Sequence, residues 1–164
     1  DTRDTMKPSR LRHLFNVWPA FLFTGIHVTA MSDDWRRAHV ELRMRPWTKN
    51  YVGTHFGGSL FAMTDPFWMI LVKECLGSDY IVWDKAAEIE FVKPGKGTVH
   101  ASFKVEDSVL DEIRSATGNG DKYLYWLPVE IIDRQGDVVA KIRKQIYVRR
   151  KPHKRTTQGD PTPG

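Results

Sequence analysis

Apolar positions along the chain switch between two periods. Between Pro8 and Pro19, Leu11, Leu14, Phe15 and Trp18 recur at helical spacing, which predicts a short packing helix over Ser9–Trp18. The β-branched and aromatic residues of Phe21–Ala30 predict a strand, and Ser32-Asp33-Asp34 predicts the turn that follows it. In His39–Arg45, Val40, Leu42 and Met44 alternate with His39, Glu41, Arg43 and Arg45, the signature of a strand with one buried face. Further along, Ala86–Val92 reads as a strand entering the turn Lys93-Pro94-Gly95-Lys96-Gly97, and Val99, Ala101, Phe103 and Val105 mark one face of the next. Asp107–Ala116 reads as a short helix and Asn119-Gly120 as a turn. Tyr123–Ile132 and Val138–Val148 read as a closing hairpin about residues 133–136.

One segment breaks this amphipathic pattern. Ser59–Leu76 has helical composition and stops at Gly77, yet Leu60–Val72 is apolar on every side apart from Asp65. A helix without a polar face has to be surrounded. The expected architecture is therefore α+β, a curved antiparallel sheet wrapped around one long central helix. The competing arrangement, two helices laid on one face of a sheet, would leave half of this helix exposed.

Composition narrows the picture. At 164 residues with 41% hydrophobic content, the chain supports one domain with a substantial core. The expected divisions are an N-terminal extension over 1–19, the sheet-and-helix domain over 20–150 and a basic tail over 151–164. The net charge of +5 invites a nucleic-acid partner, but eight of the basic residues fall within 141–155 and leave the rest of the chain net acidic. We therefore expect no nucleic-acid partner and read Arg149 onward as a solvated tail. Cys75 is the single cysteine, which excludes an internal disulfide and a zinc-type cysteine cluster, so no metal is expected and a reducing cytoplasm suits the chain. Asp1–Arg12 is charged, unlike a secretory signal, and no uncharged run is long enough to span a bilayer, so no membrane partner is expected.

Candidate chemistry gathers around the start of the apolar helix. Asp65 is the only ionisable side chain between Phe56 and Val72. A carboxylate in such surroundings is paired, neutral or functional, although Pro66 also makes a purely structural Asp-Pro break credible. Gly53-Thr54-His55-Phe56-Gly57-Gly58 precedes it. Glycines at a helix start let a ligand approach the backbone, where free N–H groups favour developing negative charge. His55 reads as a general base, an orienting donor or a loop histidine. Asn50 reads as a water-holding residue or a loop cap. Cys75, at the far end of the helix, reads as core packing.

These residues carry a resemblance. Asn50-Tyr51-Val52-Gly53, followed by Phe56-Gly57-Gly58-Ser59-Leu60-Phe61-Ala62-Met63-Thr64-Asp65, resembles the hot-dog-fold acyl-CoA thioesterase superfamily, and within it the phenylacetate-degradation branch. The wider run through Tyr80–Ala87 and Phe91–Gly95 is similar to an uncharacterised bacterial group of that superfamily. The resemblance implies a hot-dog fold and hydrolysis of an acyl-CoA or acyl-carrier thioester. Coenzyme A would enter as part of the substrate, and no separate cofactor is expected. It implies Asp65 as base or nucleophile, Gly57 as the carbonyl-polarising N–H and Asn50 as a water-placing residue. Phe56, Gly58, Phe61 and Lys93 would contact substrate. Lys96, Arg143 and Lys144 join Lys93 as candidate partners for the coenzyme phosphates. It also implies a homodimer or homotetramer in which the glycine turn of one subunit faces the acid of another and strand edges pair. The sequence departs from the pattern where the usual His before Gly-Gly is Phe56, with His55 one place earlier. A hydratase or dehydratase using His55 and Asp65, and an acyl-binding module without turnover, are the competing functions.

Overall fold

The computed structural model describes residues 6–152; residues 1–5 and most of the expected tail, 153–164, lie outside the described residues. The chain runs α1 (Pro8–Val17), α2 (Pro19–Leu22), β1 (Ile26–Met31), β2 (Arg37–Leu42), α3 (Gly57–Ala62), α4 (Phe67–Leu76), β3 (Tyr80–Phe91), β4 (Val99–Lys104), α5 (Asp107–Ala116), β5 (Lys122–Ile132) and β6 (Val138–Arg150). The six strands form one antiparallel sheet in the order β1-β2-β4-β5-β6-β3. Its inner face holds α4.

Period-two patterning builds that face. Val40 and Leu42 of β2, Val99, Ala101 and Phe103 of β4, and Ile142, Ile146 and Val148 of β6 are all buried, as alternation requires. Phe67 and Trp68 of α4 meet them, with ring centroids 5.1 and 5.3 Å from Phe103. Burying each such side chain contributes on the order of 1.5–3 kcal/mol. From the other side Phe15 of α1 and Phe21 of α2 close on Phe67 at 5.7 and 6.2 Å. α1 and α2 therefore cover this side of the core. Val105 extends the buried row expected after β4, and Leu110 and Ile113 anchor α5.

Three expectations are corrected. The strand expected from Phe21 begins at Ile26, because Pro19 presets a helical φ at the first position of α2 and takes residues 19–22. Gly25 then turns at φ +86°, where a Cβ would collide with the Arg43 carbonyl oxygen. The strand expected from Ala86 begins at Tyr80 and reaches 12 residues, paired with β6 and forming one end of the sheet. The single helix expected over Ser59–Leu76 is two helices, interrupted at residues 63–66. In addition, Lys151 is tied to the domain, its N–H donating to the Asp79 carbonyl (2.7 Å) and its ammonium to the Ser78 carbonyl (2.6 Å).

Candidate functional site

The interruption between α3 and α4 follows from one missing hydrogen. Pro66 has no N–H to offer the Ala62 carbonyl and its ring would crowd that oxygen, so Asp65 N–H takes it instead at 3.1 Å, one residue early. The Thr64 N–H and hydroxyl close on the Phe61 carbonyl at 3.2 and 2.9 Å in the same way. Overwinding at this point swings residue 65 out of the core. Of the two places open to Asp65, within the apolar helix or at its surface, the structure gives the second, with the side chain 60% exposed and paired.

Behind Asp65 stands a cation. Lys144 Nζ lies 2.6 Å from Asp65 Oδ1 and 3.4 Å from Asp84 Oδ2, and its side chain is only 4% exposed. Its ammonium sits 5.9 Å from the centre of the Phe61 ring. Asp84 Oδ1 is buried without a hydrogen-bond partner. Burial pushes the Asp84 carboxyl above the usual range and the Asp65 charge adds to this, while Lys144 opposes it. Asp84 and the enclosure of Lys144 are the parts of the cluster that sequence reasoning missed. The available signal was the alternation Ile142, Lys144, Ile146, Val148, which puts a lysine on the inward face of β6.

The glycine turn is built by Asn50. Its Oδ1 accepts from the N–H groups of Val52 (3.1 Å) and Thr54 (2.9 Å), and its Nδ2 donates to Thr54 Oγ1 (2.8 Å) and the His55 carbonyl (3.3 Å). All its hydrogen-bonding capacity goes into the loop. His55 is 4% exposed, with Nε2 donating to the Gly97 carbonyl and its N–H to the Gly95 carbonyl (2.9 Å). Burial lowers its pKa below the usual 6.5, against the raising effect of the Gly97 contact. His55 thus pins the loop to the turn after β3. Phe56, 60% exposed, caps α3, and the N–H groups of Gly57 and Gly58 have no acceptor among the described residues. A Cβ at Gly57 would meet the Phe91 ring at 2.9 Å, and one at Gly58 the Phe56 ring at 2.5 Å.

Gly58, Phe61, Ala62, Asp65 and Pro66 share one apolar cleft of about 290 Å³, roofed by Trp18 and Phe21. On the other side of α3, Phe56, Ser59 and Asn50 line a second of about 300 Å³ with Phe23 and Trp47. A larger depression of about 480 Å³ lies over β3, β5 and β6, away from the glycine turn and Asp65. Burial raises the Cys75 thiol pKa, which leaves it a poor nucleophile.

Of the four cations named for phosphates, three are engaged. Lys93 Nζ lies 2.7 Å from both Asp133 and Asp137, Arg143 lies 3.1 Å from Glu88, and Lys144 is enclosed as described. Lys96 is exposed. Among the described residues, no helix is long and apolar enough to cross a membrane.

The comparisons with known proteins agree with this architecture. A family model described as a domain of unknown function, DUF4442, matches residues 9–148. No curated protein sequence matches the chain. Among solved structures, the chain is similar to a Pseudomonas aeruginosa protein of unknown function described as a probable thioesterase, with TM-score 0.76, 21% identity and coverage of 87% of this chain and 96% of that one. It is also similar to a Haemophilus influenzae thioesterase, with TM-score 0.64, 14% identity and coverage of 92% and 96%. The PaaI protein of the Escherichia coli phenylacetic acid degradation operon matches with TM-score 0.59, 19% identity and coverage of 88% and 92%. At these identities the likeness establishes the fold, a six-stranded antiparallel sheet around a central helical segment as in the hot-dog thioesterases. With its model spanning nearly the whole described region, the chain belongs to the DUF4442 family and adopts the hot-dog fold.

Proposed function

We propose that this protein hydrolyses acyl thioesters, with Asp65 as the catalytic carboxylate. The observation that carries the reading is the placement of Asp65, an accessible carboxylate at the wall of an apolar cleft, held from behind by a buried ammonium. An acyl chain suits the walls formed by Trp18, Phe21, Phe61 and Ala62. Water attacks the carbonyl carbon while Asp65 accepts its proton. The carbonyl oxygen gains negative charge against the free N–H of Gly57, and as the carbon–sulfur bond breaks the proton held by Asp65 passes to the leaving sulfur, which releases the thiol and restores the carboxylate. Direct attack by Asp65, giving an anhydride that water then opens, uses the same groups. Asn50 and His55 act in this scheme by shaping the glycine turn. A hydratase pair would need a His55 nitrogen facing the cleft, whereas Nε2 donates to the Gly97 carbonyl and Nδ1 is buried.

The working unit in this reading is a homodimer or a pair of dimers. Among the described residues the outer edge of β3 is unpaired over 12 residues, and Phe91 on that strand packs against Gly57 beside the exposed Tyr51, Val52 and Phe56. By contrast the other end of the sheet, β1, is capped where Asn16 bonds both the N–H and carbonyl of Val28 at 2.7 and 2.9 Å. Lys96 is the remaining candidate for a phosphate contact, and coenzyme A or an acyl carrier supplies the thiol. Thiol release measured across short, long and aromatic acyl-CoA substrates tests the function. Activity on one class, lost in Asp65→Asn, is expected, and a folded protein without activity on any class overturns it.

A further inference from the structure

The sheet face turned away from α4 carries a second constellation. On β2, His39 and Glu41 alternate with the core residues Val40 and Leu42 and therefore point outward, as do His100 and Ser102 on β4. The register sets Glu41 opposite His100 and His39 opposite Ser102. The two imidazole rings stack diagonally at 5.5 Å. One nitrogen from each histidine and one Glu41 carboxylate oxygen lie within 4.8 Å of one another, all three residues being half-buried. His100 Nδ1 is buried, has no hydrogen-bond partner, and stands 3.7 Å from Glu41 Oε1.

The surroundings orient these donors. Ser102 Oγ lies 2.8 Å from His39 Nδ1, which fixes that ring and leaves Nε2 for another ligand. Arg43 Nε holds Glu41 Oε2 at 3.0 Å, leaving Oε1 toward His100. Cα register sets His27 of β1 opposite Glu41, on the same face of the sheet. A tetrahedral zinc ion holds its ligand atoms roughly 3.3–3.5 Å apart, so side-chain rotation of about an ångström closes the site. Two imidazoles and one carboxylate suit borderline divalent ions such as zinc and cobalt over magnesium or calcium.

We propose that His39, Glu41 and His100 form a binding site for a divalent transition-metal ion, clamping β2 to β4 on the outer face of the sheet. The site is independent of Asp65 and does not rest on the hydrolase reading. The test is calorimetric titration of the chelator-treated full chain with Zn²⁺, with the visible absorption of Co²⁺ reporting coordination number. The expected result is one ion per chain at micromolar affinity or better, a four-coordinate Co²⁺ spectrum, and a rise in Tm with metal. Affinity is expected to fall at least tenfold in His100→Gln and Glu41→Gln, to fall less in Ser102→Ala, and to stay unchanged in His13→Gln and Asp65→Asn. Should a variant unfold, the wild-type Co²⁺ spectrum decides. No binding below millimolar metal, an octahedral aquo-like spectrum, or full affinity in the folded His39→Gln/Glu41→Gln pair overturns the site.

Discussion

Lys144 and Asp65 meet at 2.6 Å as an unequal pair, with the cation enclosed by the protein and the carboxylate open to the cleft. Charge attraction in such a pair fixes the direction of the carboxylate more than it adds to stability, because the exposed partner remains well solvated. Asp65→Asn is accordingly expected to keep the fold and lower thioester turnover by about 10²–10⁴-fold. Turnover and Tm measured on one preparation separate this from a structural role, which would lower Tm and leave turnover per folded molecule within a few-fold of wild type.

Removing the cation has the opposite signature. Lys144→Met leaves Asp84 partly buried beside Asp65 with no counter-charge, and destabilisation of about 1–3 kcal/mol is expected, less than the roughly 3–5 kcal/mol for breaking a fully buried pair because both carboxylates retain some solvent. Urea denaturation measures it. A variant as stable as wild type at pH 7 would show that the ammonium is not the charge holding these carboxylates.

Asp84 links this cluster to pH. Its folded pKa is raised from 3.8, so the native state binds the proton more tightly than the unfolded chain. That contribution is fully present below 3.8 and is lost as pH rises through the folded value, so ionised Asp84 lowers stability toward neutrality. Replacement by Asn removes the proton site. The stability difference between Asp84→Asn and wild type should therefore move in favour of the variant as pH is raised from 4 to 7, and denaturation curves across that range should detect the trend; a constant difference would contradict it.

His55 titrates with the reverse sign. Its folded pKa lies below 6.5, so its contribution is present above 6.5 and lost as pH falls through the folded value. His55→Gln, which can still donate to Gly97, should flatten the loss of stability on the acid side of pH 6.5 and leave turnover within about tenfold of wild type. A larger kinetic loss at unchanged stability would return His55 to the chemistry.

The 12-residue edge of β3, unpaired among the described residues, bears on assembly. Light scattering at micromolar concentration is expected to give at least twice the 19.0 kDa chain mass. A monomer would count against a shared site and leave each cleft to work alone.

Much of this architecture was legible because it rests on local periodicity. Val99, Ala101, Phe103 and Val105 alternate cleanly, and the expected buried face is the one found; Asp107–Ala116 forms a helix over the expected residues. The apolar run of Ser59–Leu76 pointed to a surrounded helix, but hydropathy alone left Asp65 open between a buried and a surface position. Pro66 held the missing information, since it acts through backbone geometry rather than polarity. Lys144 was obscured differently. On the expected last strand it was named as a partner for coenzyme phosphates, while its position in the β6 alternation required an inward side chain. His39, Glu41 and His100 gave no local signal, because the β2–β4 register, a long-range pairing, is what joins them.

The break at Pro66 also changes what inheritance of this acid would mean. Each residue of an uninterrupted α-helix advances about 100° around the axis, so a continuous segment would carry the same aspartate toward different neighbours and away from Lys144. The aim of the carboxylate is set by the main chain, through an atom that proline lacks. A descendant that kept Asp65 and replaced Pro66 would preserve the chemical group and lose its address, so the two positions form one heritable unit.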